Sequence, residues 1–152
     1  MIRNKVMDGV MFMNAERIAT IAKNKSEEIR VSLLRNNKVD VRMYFYFPNE
    51  LEPKPTKKGV WLSPKHTKPI VAALKKLLEN SGEEVKLEFL LSDREQLRAY
   101  TGEYMDTKLF HIRTFYQKEG EFLPGKGISF PVTLTDKMHE ALKIASQKQQ
   151  AA

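Results

Sequence analysis

Arg42, Tyr44 and Tyr46 occupy every second position of one alternating segment, and Lys57, Lys58 and Trp61 follow in another. Between Lys38 and Phe47 the alternation is strict. Val39, Val41, Met43, Phe45 and Phe47 share one face, and Lys38, Asp40, Arg42, Tyr44 and Tyr46 share the other. In the later segment Val60 and Leu62 point to the core, which leaves Lys57 and Trp61 outward with Gly59 between them. Arg30 and Arg35 join this face from a neighbouring strand or its rim. Cations interleaved with rings suit single-stranded nucleic acid, since Lys and Arg meet phosphates and flat rings take unpaired bases. The competing reading makes Tyr44, Tyr46 and Trp61 cross-strand pairs that stabilise a sheet.

Other chemistry finds little support. His66, His111 and His139 lie far apart with no carboxylate spaced for a metal or a triad, so each is expected at a surface or interface. The chain has no cysteine, which excludes disulfides and thiolate chemistry, and a reducing compartment is expected. That means the nucleus in a eukaryote, or the cytoplasm and its nucleoid in a bacterium or phage. Gly125-Lys-Gly127 lacks the spacing of a phosphate-binding loop, and Glu83-Glu84 reads as ordinary solvated charge. No catalytic function, cofactor or metal is expected.

The charge is unevenly spread. Residues 1–80 carry 16 Lys and Arg against 8 Asp and Glu, whereas residues 81–152 carry 10 against 11. Such asymmetry suggests a first half facing a polyanion. No segment approaches the ~20 apolar residues of a membrane span. Met1 to Met13, with Arg3, Lys5 and Asp8, holds no long apolar run, so no secretory signal is expected there.

The elements that must position these residues occur twice. Val39 to Tyr46, a Pro-containing acidic connector, Lys58-Gly-Val-Trp-Leu and an amphipathic helix are echoed by Leu109 to Tyr116, a Gly/Glu/Pro connector, Lys126-Gly-Ile-Ser-Phe and another helix. Arg42 and Arg113 are 71 apart, while Gly59/Gly127, Ile70/Met138 and Leu74/Leu142 are each 68 apart. In the first copy, strands are predicted at 17–22, 28–35, 38–47 and 57–62, with Asn36-Asn37 as a hairpin turn. The following helix carries a stripe of Ile70, Val71, Leu74, Leu77 and Leu78; it starts at Thr67 or at Ser63-Pro64. In the second copy, strands are predicted at 84–91, 94–101, 108–116 and 126–132 and a helix at 136–148, with residues 149–152 frayed. The fold class is α+β: two repeats, 1–80 and 83–149, each a curved four-stranded antiparallel sheet followed by one helix. The helices pack together as a pseudo-dimer within one chain, because each copy alone has too small a core.

Ser32-Leu-Leu-Arg, Val39-Asp-Val-Arg-Met-Tyr-Phe and Lys57-Lys-Gly-Val resemble the transcriptional coactivator family named positive cofactor four. The stretch Phe110-His-Ile-Arg-Thr-Phe-Tyr-Gln-Lys-Glu-Gly-Glu-Phe-Leu-Pro-Gly-Lys-Gly-Ile-Ser resembles it more closely. The resemblance spans residues 15–80 and 84–148. It implies a four-stranded curved sheet and a helix, dimerisation through the helices, and single-stranded DNA held by the sheets with little sequence specificity. It also implies that the family's strand arginine falls on Arg42 and Arg113, and its connector lysines on Lys57, Lys58 and Lys126. The family's aromatic-plus-lysine hairpin falls near Leu34-Arg35 and Lys38, and near Tyr100-Thr101, with Leu34 in place of the stacking ring and acidic Glu103 and Asp106 in the second hairpin. A fused tandem departs from the family's usual single module. The Whirly and purine-rich-element binding families have similar modules and the same class of ligand.

The sequence therefore reads as a single-stranded DNA binder of low specificity, acting in transcription, replication, recombination or repair beside the proteins of those processes. RNA binding is one alternative, and a protein-docking adaptor is another. In the second copy only Arg113, Phe115 and Lys126 keep the binding chemistry, since Ser129 matches Trp61 and His111 matches Asp40. Binding is expected mainly on the first copy.

Overall fold

A computed structural model of the chain describes residues 15–152. The segment Met1 to Met13, read above for a secretory signal, lies outside the described residues. Two antiparallel four-stranded sheets, each in sequential order, are each followed by a helix. The first sheet comprises β1 (Glu16–Ala22), β2 (Glu27–Leu33), β3 (Val39–Phe45) and β4 (Lys54–Leu62), and leads into α1 (Pro64–Glu79). The second comprises β5 (Lys86–Ser92), β6 (Glu95–Tyr104), β7 (Thr107–Lys118) and β8 (Glu121–Pro131). A short 3-10 turn, Val132–Leu134, then leads into α2 (Thr135–Ala151). Among the described residues no helix is long and apolar enough to cross a membrane.

The period-two pattern explains the sheets. Ile29, Val31, Val39, Val41, Val60 and Leu62 line the inner face of the first, and Leu97, Ala99, Phe110, Ile112, Ile128 and Phe130 line that of the second; all are buried. Onto this surface α1 presents Ile70, Leu74 and Leu77, and α2 presents Met138, Leu142 and Ala145. The helices pack on one another, with small Ala73, Ala141 and Ala145 buried, and α2 also reaches β1 and β2. One hydrophobic core therefore draws on both repeats.

The duplication extends to the register. Arg42 pairs with Gly59 across β3–β4, and Arg113 pairs with Gly127 across β7–β8. Both pairings shift immediately afterwards, between Arg42 and Tyr44 and between Arg113 and Phe115. Bulges at matching positions add twist to both sheets.

Several expectations change. The connector before β8 is no loose segment: Glu119 (φ 52°) and Gly120 (φ 82°) make a tight turn, and β8 begins at Glu121. Likewise β4 begins at Lys54 rather than Lys57. Of the two helix starts read from the sequence, the structure takes Ser63-Pro64, so Thr67 is inside α1, donating from Oγ1 to the Ser63 carbonyl at 3.1 Å. The carboxyl-terminal segment does not fray at Gln149. That side chain is buried, and its Nε2 donates to the carbonyls of Asn37 and Leu62, both at 3.0 Å.

Candidate nucleic-acid interface

On the polar face of the first sheet, Glu28, Arg30 and Ser32 of β2 stand opposite Tyr44, Arg42 and Asp40 of β3. Charges of opposite sign two residues apart on one strand lie on the same side, and here they pair. Arg30 Nε donates to Glu28 at 2.6 Å, and Arg42 Nη2 donates to Asp40 at 2.9 Å. Arg42 Nη1 also donates to the Thr56 carbonyl at 2.9 Å. The Arg42 guanidinium lies over Gly59, where a Cβ would come within 2.6 Å of Cζ, so only glycine admits it. Arg30 covers the Tyr44 ring at 4.4 Å, and the Tyr46 hydroxyl donates to Glu28 at 3.1 Å. Burial raises the Asp40 carboxyl above its ordinary pKa despite the opposing pull of Arg42.

The expectation that this face is free is corrected for two residues. Arg42 and Tyr44 are 5% and 8% exposed. The alternation placed them on the right side, but ion pairing and twist fold that side in on itself. Tyr46 and Trp61 remain partly open, with the Lys38 ammonium 5.9 Å from the Trp61 ring.

The second sheet repeats the arrangement with one difference. Arg98 and Arg113 face each other across β6–β7 as Arg30 and Arg42 do across β2–β3, but Gln96 and His111 stand where the first sheet has Glu28 and Asp40. Arg98 Nε donates to the neutral Gln96 at 2.9 Å and its guanidinium lies 4.2 Å from the Phe115 ring centre. The His111 ring stacks on Tyr100 at 4.7 Å, and its Nδ1 is 2.7 Å from Ser129 Oγ. Burial and Arg113 push His111 below its ordinary pKa, so it is neutral at pH 7. Arg113 Nη1 donates to the Gly125 carbonyl at 2.8 Å. A groove of about 410 Å³ opens here, lined by Lys86, Leu87, Glu88, Arg98, Tyr100 and Phe115 among others. Sequence reasoning missed Arg98, although it lies 68 residues after Arg30 and the repeat could have revealed it.

Strands β4 and β8 meet where the sheets adjoin, and the lysines gather there. One groove of about 540 Å³ is lined by Lys23, Lys57, Lys58, Arg113 and Lys126, with Tyr116. An adjoining groove of about 370 Å³ is lined by Lys38, Arg42, Lys57, Trp61 and Lys126, with His66. Lys57 and Lys126 border both grooves, and neither lining contains a carboxylate. Of the residues singled out in the sequence, Lys38, Arg42, Lys57, Lys58, Trp61, Arg113 and Lys126 converge on this seam. Arg30 and Tyr44 lie in the closed network, Tyr46 is exposed at its edge, Phe115 lines the second-sheet groove, and exposed Arg35 borders none of these grooves.

Of the surface or interface position expected for His66, the structure shows the interface. The residue is 3% exposed and packs on Phe89 at 5.1 Å, and neither ring nitrogen has a protein partner. Among the described residues no group of three or more His, Asp or Glu side chains could hold a metal ion.

The fold is thus a two-sheet, two-helix α+β arrangement with a basic seam between the sheets. Residues 91–141, about a third of the chain, match the family model described as Transcriptional Coactivator p15 (PC4). The match runs from the end of β5 through β8 into α2, and lies wholly in the second repeat. A search of curated proteins gave no match.

Proposed function

We propose that the chain binds single-stranded DNA with low sequence specificity, as a cofactor of transcription or of replication, recombination or repair. The observation that carries this reading is the seam: cations from both repeats line two adjoining grooves that contain no acidic side chain. A flexible polyanion fits such a channel, and Trp61 beside it offers a ring to an unpaired base. The coactivator-family match supports the same ligand class. In this reading the repeats, 1–80 and 83–149, act as one unit, a dimer-like pair within a single polypeptide.

Titration of a labelled single strand, with its duplex and its ribose counterpart as controls, tests the proposal. Single-stranded DNA is expected to bind best and to quench Trp61 fluorescence. The affinity should fall with salt, and the double variant Lys57→Ala/Lys126→Ala should lower the log–log slope by roughly 0.7 per lysine removed. Absence of any complex with single strands at low salt overturns the reading. Tighter binding of the ribose strand reassigns it to RNA.

A further inference from the structure

We propose that the two sheets divide the work unequally: beyond the base that Trp61 takes at the seam, unpaired bases lie in the groove of the second sheet, while the Glu28–Arg30 and Asp40–Arg42 network of the first is a closed structural element. This rests on the seam being the phosphate track, as proposed above. The argument comes from comparing equivalent positions. On the first sheet, Arg30 and Arg42 are each held by a carboxylate, Glu28 at 2.6 Å and Asp40 at 2.9 Å. A ligand could use either arginine only by breaking a pair that is largely or wholly buried, and breaking such a pair leaves a charge uncompensated. On the second sheet the same places hold Gln96 and His111, which hydrogen-bond without cancelling charge. The nearest carboxylate to Arg98 is Glu88 at 3.6 Å, itself 43% exposed and therefore a weak partner.

The groove also has the composition that a base requires. Tyr100 supplies a partly exposed ring, backed by the buried Phe115 ring beneath Arg98, while Leu87 supplies apolar contact and Arg98 a flat cation. Glu84 and Glu88 line it too, balancing Lys86 and Arg98. The groove is therefore near neutral, better suited to a base than to a phosphate. Its carboxylates can accept hydrogen bonds from base amino and imino groups. Phosphates stay on the all-cationic seam, which Arg113 joins to the second sheet.

The test writes the first sheet's pattern onto the second. Gln96→Glu/His111→Asp gives Arg98 and Arg113 the partners that Arg30 and Arg42 have. Binding of a labelled mixed-sequence single strand of about 16 nucleotides is measured beside thermal unfolding. The double variant should keep its melting temperature and lose at least tenfold in affinity. Tyr100→Ala, which removes a ring without adding charge, should lose about tenfold, and Tyr46→Ala on the first sheet less than twofold. If the unaltered protein binds, and Gln96→Glu/His111→Asp and Tyr100→Ala bind equally well, the inference is overturned and the seam reading stands. If the unaltered protein binds no single strand, both fall.

Discussion

At the residue scale, the face of a strand is legible in sequence but its accessibility is not. Alternation correctly assigned Asp40, Arg42 and Tyr44 to the polar side. Their burial follows from Glu28-x-Arg30 and Asp40-x-Arg42, where opposite charges two apart consume one another, and from the bulge after Arg42. The sign alternation was present in the sequence as a warning; the bulge was not. His66 shows the same limit, because a polar residue on the first turn of α1 is buried beside Phe89 by packing between repeats. Burial, then Lys65 and Lys38, push its pKa below the ordinary 6.5. The unfolded chain therefore binds a proton near pH 6.5 that the folded chain refuses, and stability present at pH 7 is lost as pH falls through that window. Thermal melts between pH 7.5 and about pH 5.5 should show this decline, and His66→Leu should make it shallower, with His111, whose pKa is lowered too, supplying the remainder.

At the element scale, the hydrophobic stripes located both helices and seven of the eight strands to within about three residues. The longest discrepancy is β8, which starts five residues early. The Glu119-Gly120 turn continues pairing through Phe122, Leu123 and Pro124, a segment whose proline and flanking glycines disguise a strand. Helix α2 outlasts its apolar stripe because Gln149 has a tertiary role that no periodicity encodes. It satisfies two carbonyls of the first repeat, Asn37 and Leu62, while Asn37 Nδ2 donates to the Gln149 carbonyl at 3.1 Å. Gln149→Ala removes the side-chain donor from both carbonyls, the Leu62 one buried and the Asn37 one partly so. It should cost about 1–3 kcal/mol in urea denaturation, although a frayed tail would predict no effect.

At the scale of the whole molecule, the repeat spacing correctly gave two sheet-and-helix units, and the smallness of each correctly implied a shared core. The interface itself was not legible, since the meeting of β4 with β8 depends on how the sheets curve. Charge asymmetry pointed to the first repeat alone, yet Lys126 and Arg113 of the second complete the seam. A single core predicts a single transition. Leu74→Ala in α1 and Leu142→Ala in α2, both at fully buried positions, should each cost about 2–5 kcal/mol. Each should move the same denaturation midpoint, and circular dichroism and Trp61 fluorescence should report it together. A second, separate transition in either variant would mean that the repeats fold independently.

The link between α1 and β5, residues 80–85, is only a few residues long. A fold assembled from two separate modules comes apart on dilution, because its halves meet by collision. Here a short tether holds them at a fixed, high local concentration. The complete seam therefore persists at any protein level, and occupancy of a scarce ligand depends on one binding equilibrium instead of two in series.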